Sequence, residues 1–87
     1  MAENSTSLAP NPANTQSTLS FNLTRSAAVR IDVVDNLGRV VATPANDPLN
    51  AGARQVTINT ADLAAGLYNI VIRTAAGSLT QRLAVVR

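Results

Sequence analysis

From residue 19 onward, apolar side chains recur at every second position. In "TLSFNLT", Leu19, Phe21 and Leu23 fall on one side, and Ser20, Asn22 and Thr24 on the other. "AVRIDVV" sets Val29, Ile31 and Val33 against Arg30 and Asp32. "RQVTINT" repeats the alternation with Val56 and Ile58, "YNIVIRT" with Tyr68, Ile70 and Ile72, and "LTQRLAVVR" with Leu83 and Val85. A period of two predicts strands with one face buried and one in water. Between these runs stand turn signals. Asp35, Asn36 and Gly38 in "VVDNLGRVV" predict a hairpin whose glycine supplies a positive φ, with a bulge beside it. "TPANDPLNAG" predicts a longer connection, and "AAGS" a glycine turn.

One stretch supports two readings. In "ADLAAGLYNIVI", helical spacing aligns Leu63, Leu67 and Ile70, whereas strand spacing aligns Tyr68, Ile70 and Ile72. Length decides between them. Ala61 to Gly66 lies between two strand patterns and is too short for a free-standing helix. Thr60 or Asp62 can cap a single turn, and Gly66 ends it. Leu63 then plugs the end of the sandwich. Tyr68 enters the next strand facing inward, its hydroxyl reaching back to the backbone of the corner, as in a tyrosine corner. The predicted fold is all-β: a small antiparallel immunoglobulin-like β-sandwich of about six or seven strands.

The opening "MAENSTSLAPNPANTQS" is polar and proline-bearing. Residues 1–9 read as a flexible linker and residues 10–87 as one domain. The start lacks the basic and apolar regions of a signal peptide, and no apolar run reaches the roughly 20 residues of a membrane helix. The chain is therefore expected to be cytosolic or a piece of a longer protein. At 87 residues it buries only about 60–65% of its unfolded surface, so its stability is modest.

Composition then removes most chemistry. There is no Cys and no His, and every cation is Arg, so thiolate, imidazole and Schiff-base catalysis are all excluded. The carboxylates are Glu3, Asp32, Asp35, Asp47 and Asp62, with no pairing that suggests acid–base work. Asn46, Asp47 and Asp62 could offer oxygens to calcium, but the dense spacing of a calcium loop is missing. Gly38, Gly52, Gly66 and Gly77 stand singly and form no phosphate loop. The seven Arg are scattered, and only Phe21 and Tyr68 could stack on bases, so nucleic acid is not an expected partner. No enzyme activity, cofactor or metal is expected.

The order of the turn signals is itself distinctive: "PNPAN", "FNL", "VDNLGRVV", "LNAG", "ADLAAGLY" and "LAVVR". Over residues 10–87 this order resembles the type A C-terminal sorting domain of type IX secretion cargo. In that family PNP opens the domain. A D-x-x-G-R hairpin, an L-x-x-G loop, L-x-x-G-x-Y and a hydrophobic last strand ending in Lys or Arg follow. Pro10, Asn11, Pro12, Asp35, Gly38, Arg39, Leu49, Gly52, Leu63, Gly66, Tyr68 and Arg87 match those marks. The chain departs from the family in its few aromatics and in having Arg where Lys is usual near the end.

The resemblance implies a delivery role without catalysis. The domain would sit at the end of a larger cargo protein and pass through the periplasm. The outer-membrane translocon and its shuttle protein would recognise it. A sortase-like protease would then cut upstream of Pro10, leaving the cargo at the cell surface or outside the cell and a monomeric excised domain. Contacts to the machinery are expected from Gly38, Arg39, Val85, Val86 and Arg87. Pro10, Asn11, Pro12, Asp35, Gly52, Leu63, Gly66 and Tyr68 are expected to hold the fold. The competing expectation is an immunoglobulin-like adhesive or carbohydrate-binding module.

Overall fold

The computed structural model describes residues 6–10, 15–75 and 77–86. Within them run seven strands and no helix: β1 (Ser7–Ala9), β2 (Gln16–Leu23), β3 (Ala27–Val34), β4 (Val40–Leu49), β5 (Gly52–Asn59), β6 (Gly66–Thr74) and β7 (Gly77–Val85). They form two antiparallel sheets, ordered β1-β2-β5 and β4-β3-β6-β7. The alternating residues of both sheets face each other across the core. Leu19, Ile31, Val33, Ile58, Ile70, Ile72 and Leu83 are fully shielded from solvent. Val56, Leu49 and Leu63 pack against this cluster from its margins. The expected β-sandwich is the observed one.

The chain order gives the sandwich two poles. β2 and β5 meet at one end through Gln16 and Asn59, and at the other through Leu23 and Gly52. The β3–β4 hairpin, the β5–β6 corner and the end of β7 share the first of these ends, the near pole. The register that sets Val34 against Asn69 and Gly66 against Val85 places them there. β1 runs antiparallel to β2, from Ser7 opposite Ser20 to Ala9 opposite Thr18, and so is directed toward the near pole.

Two segments differ from the sequence reading. "TPANDPL" is not a loop but the second half of β4. β4 is an edge strand, and an edge tolerates proline because half its N–H groups need no partner. Thr43 and Pro44 together oppose the single residue Asp32, so the ladder bulges around the first proline. Ser7–Ala9, read as part of the linker, form β1, with Leu8 seated in the core. The strand continues into Pro10, whose carbonyl accepts a 2.8 Å hydrogen bond from the buried Ser17 hydroxyl.

The corner between β5 and β6 contains turns and no helix. Asn59, just ahead of the two candidate caps, supplies a side-chain cap, its Oδ1 accepting the Ala61 N–H at 3.0 Å. Leu63 closes a turn by donating its N–H to the Thr60 carbonyl at 3.0 Å. Tyr68 is buried, and its hydroxyl donates to the Ala64 carbonyl at 2.6 Å. The ring fills the core while its oxygen ties the corner to the strand that follows.

Tyr68→Phe keeps the ring and leaves the Ala64 carbonyl without this donor. Urea denaturation should show a loss of about 1 kcal/mol. A change below a few tenths would mean that water replaces the hydroxyl at no cost.

Candidate recognition site

The near pole is built on two chain reversals and the end of the last strand. In the β3–β4 hairpin, Asp35 is the hub. Its Oδ1 accepts the N–H groups of Leu37 and Arg39, each at 2.9 Å, and its Oδ2 accepts Arg39 Nε at 3.0 Å. Backbone bonds complete the loop, from Asp35 N–H to the Arg39 carbonyl and from Gly38 N–H to the Asp35 carbonyl. Gly38 has φ +84°, a region that residues with a Cβ avoid. Nothing lies within 4 Å of where a Cβ would stand, so glycine is needed here for its backbone and not for space. The Arg39 N–H is the foremost cause holding the Asp35 carboxyl below the ordinary carboxylate range. Partial burial opposes it, and the Leu37 N–H and the Arg39 guanidinium add to it. Arg39 is therefore paired with Asp35, yet its side chain remains 72% exposed.

The second reversal is the Leu63–Tyr68 corner. Asp35, Arg39 and Tyr68 line a 230 Å³ cleft between hairpin and corner. The end of β7 completes the pole, with Val86 exposed just past the Gly66–Val85 pair. Pro10, reached by β1, stands at this pole as well.

The structure thus brings Pro10, Asp35, Gly38, Arg39, Leu63, Gly66, Tyr68 and Val86 to one end. Gly52 lies at the other, where the chain crosses from β4 to β5. Val85 points into the core and is 3% exposed, so in the folded domain it packs rather than contacts. Strand alternation puts it on the same face as Leu83, and its neighbour Val86 takes the outward position. Asn11, Pro12 and Arg87 lie outside the described residues. The oxygens considered for calcium are not brought together: Asp47 sits opposite Val29 on β4, while Asp62 lies in the corner.

One cluster was not read from the sequence. On the outer face of the larger sheet, Arg30 and Arg73 are direct cross-strand partners, a repulsive pairing by itself. Asp32 lies between them, accepting from Arg30 Nε at 3.0 Å, Arg73 Nη1 at 3.3 Å and the Thr43 hydroxyl at 2.9 Å. Its side chain is wholly covered, though by these side chains rather than by core. Burial pushes its pKa upward, but the Thr43 hydroxyl and the two guanidinium groups outweigh it and hold the pKa below the ordinary range. The alternation of Arg30 with Asp32 was visible. Arg73 and Thr43 arrive only through strand register and a bulge.

Compared with known families, residues 7–86 match the model of the secretion system C-terminal sorting domain. The chain belongs to this family. The sorting domain is a type IX secretion signal, carried as part of a larger cargo protein bound for the cell surface or the extracellular space. No curated protein matches it. The family match includes β1 and begins at its first residue.

Two outcomes are expected for this sorting domain. Gly38→Ala should lower stability by about 1–2 kcal/mol in urea titration, because alanine must adopt the positive φ. An unchanged midpoint would show that the hairpin relaxes freely. Asp32 and Asp35 have native pKa values below the reference of 3.8. Their stabilisation is complete above that value and is lost as pH falls through the lowered native values. Thermal melts should therefore decline below about pH 4. The double variant Asp32→Asn, Asp35→Asn should melt lower at neutral pH and show a flatter acid limb. An acid limb as steep as the parent's would assign the loss to other groups.

Proposed function

We propose that the near pole is the surface by which the outer-membrane translocon and its shuttle protein read the folded sorting domain. The hairpin at Gly38–Arg39 and the chain end at Val86–Arg87 are its contact points. A sortase-like protease then removes the domain after passage through the periplasm. The observation that carries this reading is the convergence of six of the family's marks, Asp35, Gly38, Arg39, Leu63, Gly66 and Tyr68, on one end of the sandwich. Asp35, Gly66 and Tyr68 act by shaping that end, and the domain performs no reaction of its own.

β1 refines where the cut falls. Its backbone is paired with β2 and Leu8 is buried, so a protease that needs an unpaired extended substrate finds none in β1. The cut is then expected on the cargo side of Ser7. The domain to be released then begins at Ser7 rather than at Pro10.

An adhesive or carbohydrate-binding role gains no support. Phe21 and Tyr68, the two aromatics, are both buried in the core, and such modules bind through exposed rings.

The test is export of a reporter carrying a signal peptide and this domain at its C-terminus, in a type IX-competent cell. The intact fusion should reach the surface or medium. Removal of residues 86–87, which spares the buried Val85, should strand it in the periplasm, as should Arg39→Ala. Periplasmic retention of the intact, folded fusion would overturn the reading.

A further inference from the structure

The structure assigns to the near pole a groove for an extended, acidic and aliphatic segment of a partner protein. This rests on reading that pole as the recognised surface, and it names the chemistry of what docks there. The 230 Å³ cleft between hairpin and corner meets a second cleft of 160 Å³ at Asn36, Leu67 and Tyr68. Arg39 stands at one end of the joined groove. Arg82, opposite Asn69 on β7, stands at the other.

Exposed apolar side chains gather around this end, and Leu67 lines the groove itself. The exposed large hydrophobics of the described residues are Leu37, Val40, Val41, Leu67 and Val86. All belong to the hairpin, the start of β4, the start of β6 or the end of β7, hence to the near pole. The far pole has none among the described residues. Leu67 is 60% exposed on the outward side of β6, while Tyr68 beside it faces the core. Exposed large apolar side chains gathered at one end of a small domain favour a contact there.

The charge selects the partner. Asp35, the carboxylate of the groove, is already committed to Arg39 and two backbone N–H groups. Asp62 lines neither cleft. Arg39 uses Nε on Asp35, which holds the guanidinium in place and leaves its two Nη groups for a second carboxylate. A pre-positioned fork of this kind binds a carboxylate with little further loss of freedom. The exposed Leu67 beside this fork fits a peptide that sets aliphatic side chains next to acidic ones. It offers no aromatic platform to a sugar.

The test is an NMR titration of the 15N-labelled domain with the peptide acetyl-Leu-Asp-Val-Glu-Leu-Asp-amide. Its Asn/Gln counterpart and vesicles of phosphatidylcholine with phosphatidylglycerol are titrated in parallel. Saturable shifts at Asn36, Gly66, Leu67, Asn69 and Arg82, absent with the neutral peptide, are expected. Arg39→Gln should weaken them by roughly two- to fivefold, and Leu67→Ser should weaken them also. Arg25→Gln, at the far pole, should leave them unchanged. Shifts spread over Arg25, Arg30, Arg54 and Arg73, no shift at all, or binding to vesicles in preference to the peptide would overturn the inference. The export assay separates the two levels. If the peptide fails to bind while export still depends on Arg39, the groove chemistry is wrong and the recognition surface stands. If the peptide binds as expected but the intact fusion is not exported, the groove stands and its role in secretion falls.

Discussion

The pairing of β3 with β6 joins parts of the chain that are far apart; Asp32 and Arg73, in contact across it, are separated by 41 positions. Its two strands supply Val29, Ile31, Val33, Ile70 and Ile72, all at or near complete burial. Each such side chain is worth about 1.5–3 kcal/mol in transfer from water. That burial offsets the entropy of closing so long a loop. The same pairing sets the β3–β4 hairpin beside the β5–β6 corner. Without it the cleft between Arg39 and Tyr68 would not exist, because neither turn positions the other locally.

A signal read by a protein machine makes different demands from an active site. It needs a rigid display, and a small sandwich without disulfides must obtain that rigidity from its turns. Asp35 achieves this in the hairpin by satisfying two backbone donors and one guanidinium with a single carboxylate. Tyr68 achieves it in the corner by spanning core and backbone. Residues spaced like a recognition motif thus divide into those that shape the pole and those that face outward from it. Arg39 belongs to both groups.

Much of this was legible because one face of each strand meets water and the other does not. The alternation of Leu19, Phe21 and Leu23, or of Tyr68, Ile70 and Ile72, records that asymmetry directly. The tyrosine corner was legible for a related reason: a buried hydroxyl needs a partner, and the preceding corner is within its reach. β4 was not legible past Ala42. Its prolines resemble a loop, and only its position at a sheet edge makes them compatible with a strand. β1 carries a single inward residue, Leu8, and one apolar position has no period. The Asp32 cluster escaped because local sequence does not encode which strand will lie alongside. Val85 and Val86 show the limit at single-residue scale, since a shift of one position exchanges core for surface.

β1 enters its sheet running toward the near pole, so its starting end points the opposite way. Ser7 stands opposite Ser20, four residues along β2 from Gln16, so the tether is hitched about 13 Å behind the near pole, as a wagon trails its coupling. One small handle can then tow loads of very different size.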